Sequence, residues 1–542
     1  MKKYNKLVVF VVTLASLALG LFVLYTPIPR AAEAGFSAIK AASYIEAISR
    51  EPHSVDDPAA HESVRLYLKN MLETFVGAAN VAEMDYTAEE LGRKAPYGIR
   101  NLLGTIPGDS GTGILLVAHY DSRGFIGRNG ELGRSYGAAD DGYGLATILE
   151  IARLYGRRHL RNSIYLLFTD AEEAGMHGAV AAARETELMS KVGFVVNLEA
   201  RGVDGPVYMF ETSPKNEKVI DFYRRADLPV SYSLATAVYR VMPNATDFTH
   251  FLAAGKQGIN FAVLGGLSHY HSPLDNYTAI DLSSIQHYGA QVVPLVEAFA
   301  TDSAYSDPEY FSGDEDSVFF TILPNVFIAY SESAARALHL LMLALFAAFV
   351  AYLSIRKELK PLAIVKYLGW ILVSIAAFAV LGAFLSKLVA FLGKTTWSLT
   401  YVRTSGAGLP VVLAILATAG TLGWLAKKKV AAADRRALML AGVFLNLVLA
   451  TATGIILSGG SFLFFVPALI GFVSLLAAEF AKNRIVSHVF YSQNILWNML
   501  LMIPILYSLF LALTVGGLAA LLVVLILDLS IVVPSMLMQA EL

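Results

Sequence analysis

Three carboxylates fall within four positions of "FTDAEEAGMHG", residues 168–178: Asp170, Glu172 and Glu173, directly after the apolar run "SIYLLF". Like charges this close raise one another's pKa unless a cation holds them or a turn exposes them to water. Other short apolar runs end on related chemistry. "LLVAHYDS" delivers His119 and Asp121, "GAADDGYG" delivers Asp140 and Asp141, "VVNLEARG" delivers Glu199, and "GLSHYHSPLDNY" adds His269 and His271. Taken singly, each has an ordinary explanation: an Asp before a helix caps it, a Glu pair after a strand forms a solvated turn, and a lone His is polar surface. Together, two His and several carboxylates in a chain with no cysteine match the hard and borderline ligands that zinc accepts. Two neighbouring cations need a bridging carboxylate, for which Asp140 is the natural candidate. One carboxylate is then left over as a general base for a water held between them.

The elements that must position these residues lie between about 36 and 305. Charges are frequent there, Gly and Pro punctuate the chain, and the runs "GILLVAHY", "SIYLLFTD", "GFVVNLEA" and "INFAVLGG" alternate with helical patterns such as "GYGLATILEIARLYG". That alternation predicts an α/β domain of buried parallel strands and crossover helices. In an open α/β sheet, ligands collect at the C-terminal strand ends, where the candidate residues stand.

The rest of the chain is of another kind. Over 542 residues, 56% are hydrophobic and 16% charged, against roughly a quarter charged in soluble proteins; this predicts a membrane protein. The net charge of −2 gives no basic surface for nucleic acid, and without cysteine there is neither a disulfide framework nor a thiolate metal site. After the basic "MKKYNK", residues 7–25 are uncharged over about the length that crosses a bilayer. This run exceeds a signal-peptide core and no small-residue cleavage site follows it, so an uncleaved anchor is expected, with Lys2, Lys3 and Lys6 on the cytoplasmic side.

The expected segments are 1–35 (cytoplasmic N-terminus and anchor), 36–305 (extracytoplasmic domain), 306–334 (connector, including the polar "SDPEYFSGDEDS") and 335–542 (membrane domain). Seven further spans are expected at about 335–354, 367–387, 408–426, 437–457, 462–480, 495–514 and 517–538. "RKELK", "KKKVAAADRR" and "KNR" fall on alternate connections, which places both termini in the cytoplasm and the large domain outside it. Short loops and compact length favour a bacterial plasma membrane. Lys366, Lys387 and Glu479 lie near span ends and can snorkel, whereas Asp528 lies deep in a span.

In the order His-x-Asp, Gly-Ala-x-Asp-Asp-x-x-Gly, Glu-Glu-x-Gly, Asn-Leu-Glu and Tyr-His, residues of about 40–300 resemble the M28 family of zinc metallopeptidases. "GAADDGYGLATILEIAR" and "NLEARG" are similar to its membrane-bound branch, the endoplasmic reticulum metallopeptidases and vacuolar membrane proteases. The resemblance implies a mostly parallel mixed sheet flanked by helices, as in zinc aminopeptidases, and two Zn2+ ions. His119, Asp140 and Glu199 would bind one ion; Asp140, Glu173 and His271 would bind the other. Glu172 becomes the general base, Asp121 orients the His119 imidazole, and Tyr270 supports the oxyanion. The implied activity is hydrolysis of a peptide or protein substrate, with aminopeptidase action as the default. Asp141 stands where many relatives have Asn and is expected to cap a helix, His269 and His177 are expected at the surface, and Asp170 has no role in the pattern. "TDF" at 246–248 resembles a segment near the family's substrate pocket or simply starts a helix. A catalytically inert peptide- or protein-binding ectodomain, a transporter with a substrate-recognition domain, and a glutaminyl cyclase are the competing readings; the filled ligand set disfavours the first and last. No motif bears on oligomeric state.

Overall fold

The computed structural model describes residues 2–31, 34–93, 95–126, 132–242, 244–398, 402, 433–481 and 483–542. They form two compact units, one of Tyr25–Ser331 and one of Met1–Leu24 with Glu332–Leu542.

The first unit is built on seven strands: β1 (Val81–Tyr86), β2 (Ile99–Ile106), β3 (Gly113–His119), β4 (Ser163–Thr169), β5 (Val192–Ala200), β6 (Asp204–Thr212) and β7 (Gly258–Gly265), in the spatial order β1-β2-β4-β3-β5-β7-β6. The centre, β4-β3-β5-β7, is parallel, and the edge pairings β1-β2, β2-β4 and β6-β7 are antiparallel. Every residue of β3, β4 and β5 is buried, because helices cover both faces; this is why these strands read as unbroken apolar runs. Edge strand β1 carries only partly buried and exposed residues.

Alternation along β3 divides the core. Ile114, Leu116 and Ala118 pack in the cluster that contains residues of the helices Ala38–Ile48, Pro58–Val76, Gly142–Tyr155 and Leu282–Thr301. Leu115 and Val117 pack on the other face with Ala179, Ala182, Leu188, Met189, Phe248 and Phe251. The expected connector, 306–334, is itself folded: β8 (Ser317–Leu323) and β9 (Val326–Ser331) form an antiparallel hairpin whose Phe319 enters the main core. The polar run before it masked the strand signal of "SVFFTIL".

The second unit is helical. Among the described residues, helices long and apolar enough to cross a membrane lie at Asn5–Phe22, Glu332–Ile355, Pro361–Leu392, Arg435–Ile456 and Phe462–Ala481, and within Arg484–Glu541. The last stretch comprises two helices, Arg484–Leu513 and Leu518–Glu541, separated by a turn at Thr514–Gly517. The protein is an integral membrane protein. Six of the seven expected C-terminal spans have a helix; the one at 408–426 lies outside the described residues. Glu479 is ion-paired with Arg436, and Arg436 also stands 3.8 Å from Glu358. This pairing gathers the C-terminal ends of Glu332–Ile355 and Phe462–Ala481 with the N-terminal end of Arg435–Ile456 at one pole of the unit. Lys366 lies over the rings of Tyr367 and Trp370, and Lys387 over Trp397. Asp528 is buried, and its Oδ1 has no hydrogen-bond partner among the described residues.

The turn from β4 into the helix His177–Ala182 depends on Gly178. Its N–H donates to the Asp170 carbonyl at 2.7 Å and its carbonyl accepts from Asn101 Nδ2 at 2.8 Å. A Cβ at this position would stand 2.3 Å from Asn101 Oδ1 and 2.4 Å from the Asp170 nitrogen. Gly178→Ala is therefore expected to cost roughly 1–3 kcal/mol, the usual range for overpacking, and to lower the thermal midpoint of the purified protein; an unchanged midpoint would show that the turn has slack.

Candidate metal centre

The parallel strands place four chemistry-bearing segments on one edge of the sheet. His119 is the last residue of β3, Glu172 and Glu173 follow β4, Glu199 is the last but one of β5, and His271 lies in the turn after β7. Asp140 joins them from the loop that enters the helix Gly142–Tyr155.

Two groups of three donors result, His119–Asp140–Glu199 and Asp140–Glu173–His271, each with its donor atoms within 4.8 Å of one another. Asp140 belongs to both: Oδ1 is 3.4 Å from His119 Nε2, and Oδ2 is 3.4 Å from His271 Nε2. Glu199 Oε2 is 3.8 Å from His119 Nε2, and Glu173 Oε1 is 3.0 Å from His271 Nε2. All five residues are buried. His119 Nε2, Asp140 Oδ2 and Glu173 Oε1 nevertheless make no hydrogen bond within the described structure. Unpaired buried polar atoms are costly, and converging lone pairs of this kind fit a cation. Each group has the residue types to hold a metal ion.

The charges agree with that reading. Burial, then the neighbouring Glu199, pushes the Glu172 carboxyl well up; burial likewise raises Glu173 and Glu199. Burial would lower His119, but its contacts with Asp121 and Asp140 and the charges of Glu172 and Glu199 outweigh this and raise it. Asp140 is held down, against the effect of burial, by His119 and His271.

Backbone and side-chain anchors fix the donors. The His119 Nδ1 lies 2.9 Å from the Asp121 carbonyl oxygen and 3.5 Å from its carboxylate. A proton donated there leaves the Nε2 lone pair facing Asp140 and Glu199. The Asp121 carboxylate accepts the amides of Glu172 at 2.8 Å and of Glu173 at 3.2 Å. Asp121 therefore sets the Glu-Glu turn as well as the imidazole, a role that the sequence did not suggest.

Three further anchors were not legible either. Asp275 accepts from Ala139 N at 2.8 Å, Asp140 N at 3.3 Å and Ser135 Oγ at 3.0 Å, pinning the Asp140 loop; its only signal was its place in "SPLDNY". Arg123 reaches the Glu173 carbonyl at 3.0 Å and Oε2 at 3.1 Å. Asn197, two residues before Glu199, donates to Glu199 Oε1 at 3.0 Å.

The remaining sequence candidates separate clearly. Asp141 caps the helix Gly142–Tyr155 through Gly144 N at 3.0 Å. Asp170 lies apart from the donor groups: it accepts from the Arg100 amide at 2.8 Å and meets His61 Nε2 at 2.9 Å, tying the β4 end to β2 and the helix Pro58–Val76. His177, expected at the surface, is buried near Tyr97, because it opens the helix packed against the sheet. His269 is half-buried, with Nδ1 3.0 Å from the Gly266 carbonyl. Tyr270 stacks on His271, ring centres 3.6 Å apart, and burial together with Asp140 and Glu173 keeps its hydroxyl protonated. Asp247 starts the helix Asp247–Ala253 after the N-cap Thr246, and its charge also acts on Glu172 and Glu199. The "TDF" segment is thus both a helix start and a neighbour of the donors.

Residues 101–296 match the family described as Peptidase family M28. The chain carries an M28 peptidase domain. All the candidate donors fall inside it. A vacuolar membrane protease of Candida albicans is 26% identical over 316 residues, covering 56% of this chain and 34% of that protein. Endoplasmic reticulum metallopeptidase 1 of Rattus norvegicus is 29% identical over 255 residues, covering 46% of this chain and 27% of that protein. The chain thus matches only about a third of the length of the first relative and less of the second. Similar solved structures include a glutaminyl cyclase of Porphyromonas gingivalis (TM-score 0.38, 21% identity, 48% of this chain and 98% of that one). A Zn-dependent exopeptidase from Parabacteroides distasonis is another (TM-score 0.38, 20% identity, 49% and 99%).

Burial pushes Asp247 up to about 7 in the M28 domain. A carboxyl raised in the folded state contributes stability that is complete below its unfolded pKa and is lost as pH rises through its folded pKa. For the metal-free protein, the thermal midpoint is expected to fall between about pH 4 and pH 7, and Asp247→Asn to flatten that slope. Parallel slopes for the two proteins in calorimetry would remove Asp247 as a contributor.

Proposed function

We propose that the protein is a membrane-anchored di-zinc metallopeptidase, acting as an aminopeptidase with Glu172 as general base. The observation that carries this reading is the Asp140 carboxylate shared by two complete donor groups, with one further carboxylate, Glu172, beside them. An inert ectodomain has no need of a full donor set. A glutaminyl cyclase is disfavoured by the second complete group.

Two cations bound there would supply Lewis acidity, polarising the peptide carbonyl and making a water acidic at neutral pH. The chain's own residues do the rest. Glu172, its backbone fixed by Asp121, takes the proton as the water oxygen bonds to the carbonyl carbon, and delivers it to the departing nitrogen as the C–N bond breaks. The Tyr270 hydroxyl donates to the carbonyl oxygen as negative charge develops. Aminopeptidase action is the default that the resemblance implies.

The proposed arrangement keeps the domains at 1–35, 36–305, 306–334 and 335–542, with the hairpin β8-β9 closing the soluble domain. The gathering of Glu358, Arg436 and Glu479 at one pole supports the alternation of basic connections and hence a peptidase domain outside the cytoplasm. The curated relatives above are eukaryotic and are named for the vacuolar membrane and the endoplasmic reticulum, which lends no support to a bacterial plasma membrane.

The full chain in detergent is expected to bind two zinc ions by elemental analysis, Asp140→Asn to lose both, and His271→Ala to keep one. Glu172→Gln is expected to keep the zinc and lose roughly 10²–10⁴-fold in kcat/KM toward amino-acid amides, the range for a general base. Zinc without hydrolysis in the wild type would overturn the enzyme reading, and cleavage of N-blocked peptides would overturn the aminopeptidase assignment.

A further inference from the structure

Arg201 lies two residues beyond Glu199, just past the end of β5, in which alternation puts Asn197 and Glu199 on one side of the chain. The Asn197–Glu199 hydrogen bond at 3.0 Å has that geometry. The backbone at Arg201 is clamped: its N–H donates to the Val263 carbonyl at 3.0 Å, and the Val203 N–H donates to the Gly265 carbonyl at 2.7 Å. Between them Gly202 packs so closely that a Cβ would stand 2.1 Å from the Gly265 oxygen. The side chain therefore leaves a fixed point at the sheet edge that bears the donors.

Arg201 differs from the other arginines nearby. Arg123 is neutralised by Glu173 at 3.1 Å, and Arg240 forks onto Asp316 at 2.6 and 3.2 Å. The half-buried Arg201 guanidinium has no hydrogen bond or ion pair with any described residue. Its charge acts on the hydroxyls of Tyr239 and Tyr270, which also feel Glu172. The guanidinium and the general base thus act on the same two hydroxyls. A half-buried cation without a counter-ion is a standing electrostatic cost, and a planar guanidinium is best answered by a carboxylate taken in two parallel hydrogen bonds.

We propose that Arg201 binds a carboxylate of the substrate, so that the M28 domain prefers peptides presenting one close behind the scissile bond. This rests on the metallopeptidase reading. The carboxylate is supplied either by the C-terminus of a short peptide or by an acidic side chain, and Arg201 is then a specificity-determining residue rather than one that touches the reacting bond.

The test uses the full chain in detergent with zinc, on di- and tripeptides with free or amidated C-termini and with Glu or Gln after the scissile bond. The wild type is expected to favour the carboxylate form by ~10-fold or more in kcat/KM, the scale of a charge-assisted hydrogen bond. Arg201→Ala should bring that ratio toward one, mainly through KM, and Arg201→Lys should retain an intermediate value. Arg201→Met keeps the packing of the stem and replaces the Ala variant should that fail to fold. Preference for acid over amide identifies the C-terminus as the source; preference for Glu over Gln identifies the side chain. Binding of the same peptides to Glu172→Gln, measured by calorimetry with and without Arg201→Met, provides a readout independent of turnover. Failure of hydrolysis in the wild type would sink the metallopeptidase reading alone, since binding still reports on Arg201. Equal affinity for carboxylate and amide forms, or a preference unchanged in the Arg201 variants, overturns the inference.

Discussion

The Asp140 carboxylate stands 3.4 Å from each of two imidazoles, one oxygen toward His119 and the other toward His271. Those distances are too long for good hydrogen bonds and too short for unrelated groups. With Glu173 and Glu199 they enclose two small spaces lined by lone pairs. In this buried setting desolvation raises the carboxyls of Glu172, Glu173 and Glu199, and repulsion between neighbouring carboxylates adds to it. A pair of dications bound there would reverse the sign of the problem, making the same crowding attractive.

Holding such a cluster open requires a rigid frame. The parallel strands β3, β4, β5 and β7 supply the coarse placement, because their C-terminal ends share one edge. Finer placement comes from polar residues that do not themselves belong to the donor groups. Asp121 takes two amides of the Glu-Glu turn, Asp275 takes two amides of the Asp140 loop, Arg123 clasps Glu173, and Asn197 clasps Glu199. Supporting contacts of this kind orient ligands and tune their basicity. Asp170 belongs to the frame as well, which accounts for the third carboxylate of "FTDAEEAGMHG" without giving it any chemistry.

The membrane unit shows the same economy of buried charge. Glu479, expected to snorkel to the interface, is paired with Arg436 near Glu358, while lysines at span ends rest on aromatic rings. Asp528 is left as a buried carboxyl deep in a helix.

By itself the sequence determined the α/β architecture, the membrane helices and the set of donor residue types. Each of these is written in a local pattern: fully apolar strands, long uncharged runs, and His, Asp or Glu placed just after a strand. The capping role of Asp141 was legible for the same reason. Tertiary structure alone decided what those residues meet. That Asp140 serves two groups, that Asp121 holds the Glu-Glu turn, that Asp170 turns away toward His61 and that Asp275 supports a loop 135 residues distant are all contacts between segments far apart in the chain. The hairpin at 317–331 was missed because a polar run preceded it, and its place was set by packing of Phe319 into a core assembled elsewhere. A spacing pattern records which way a side chain points along its own strand or helix; which charge it faces is fixed only when the sheet brings the strand ends together.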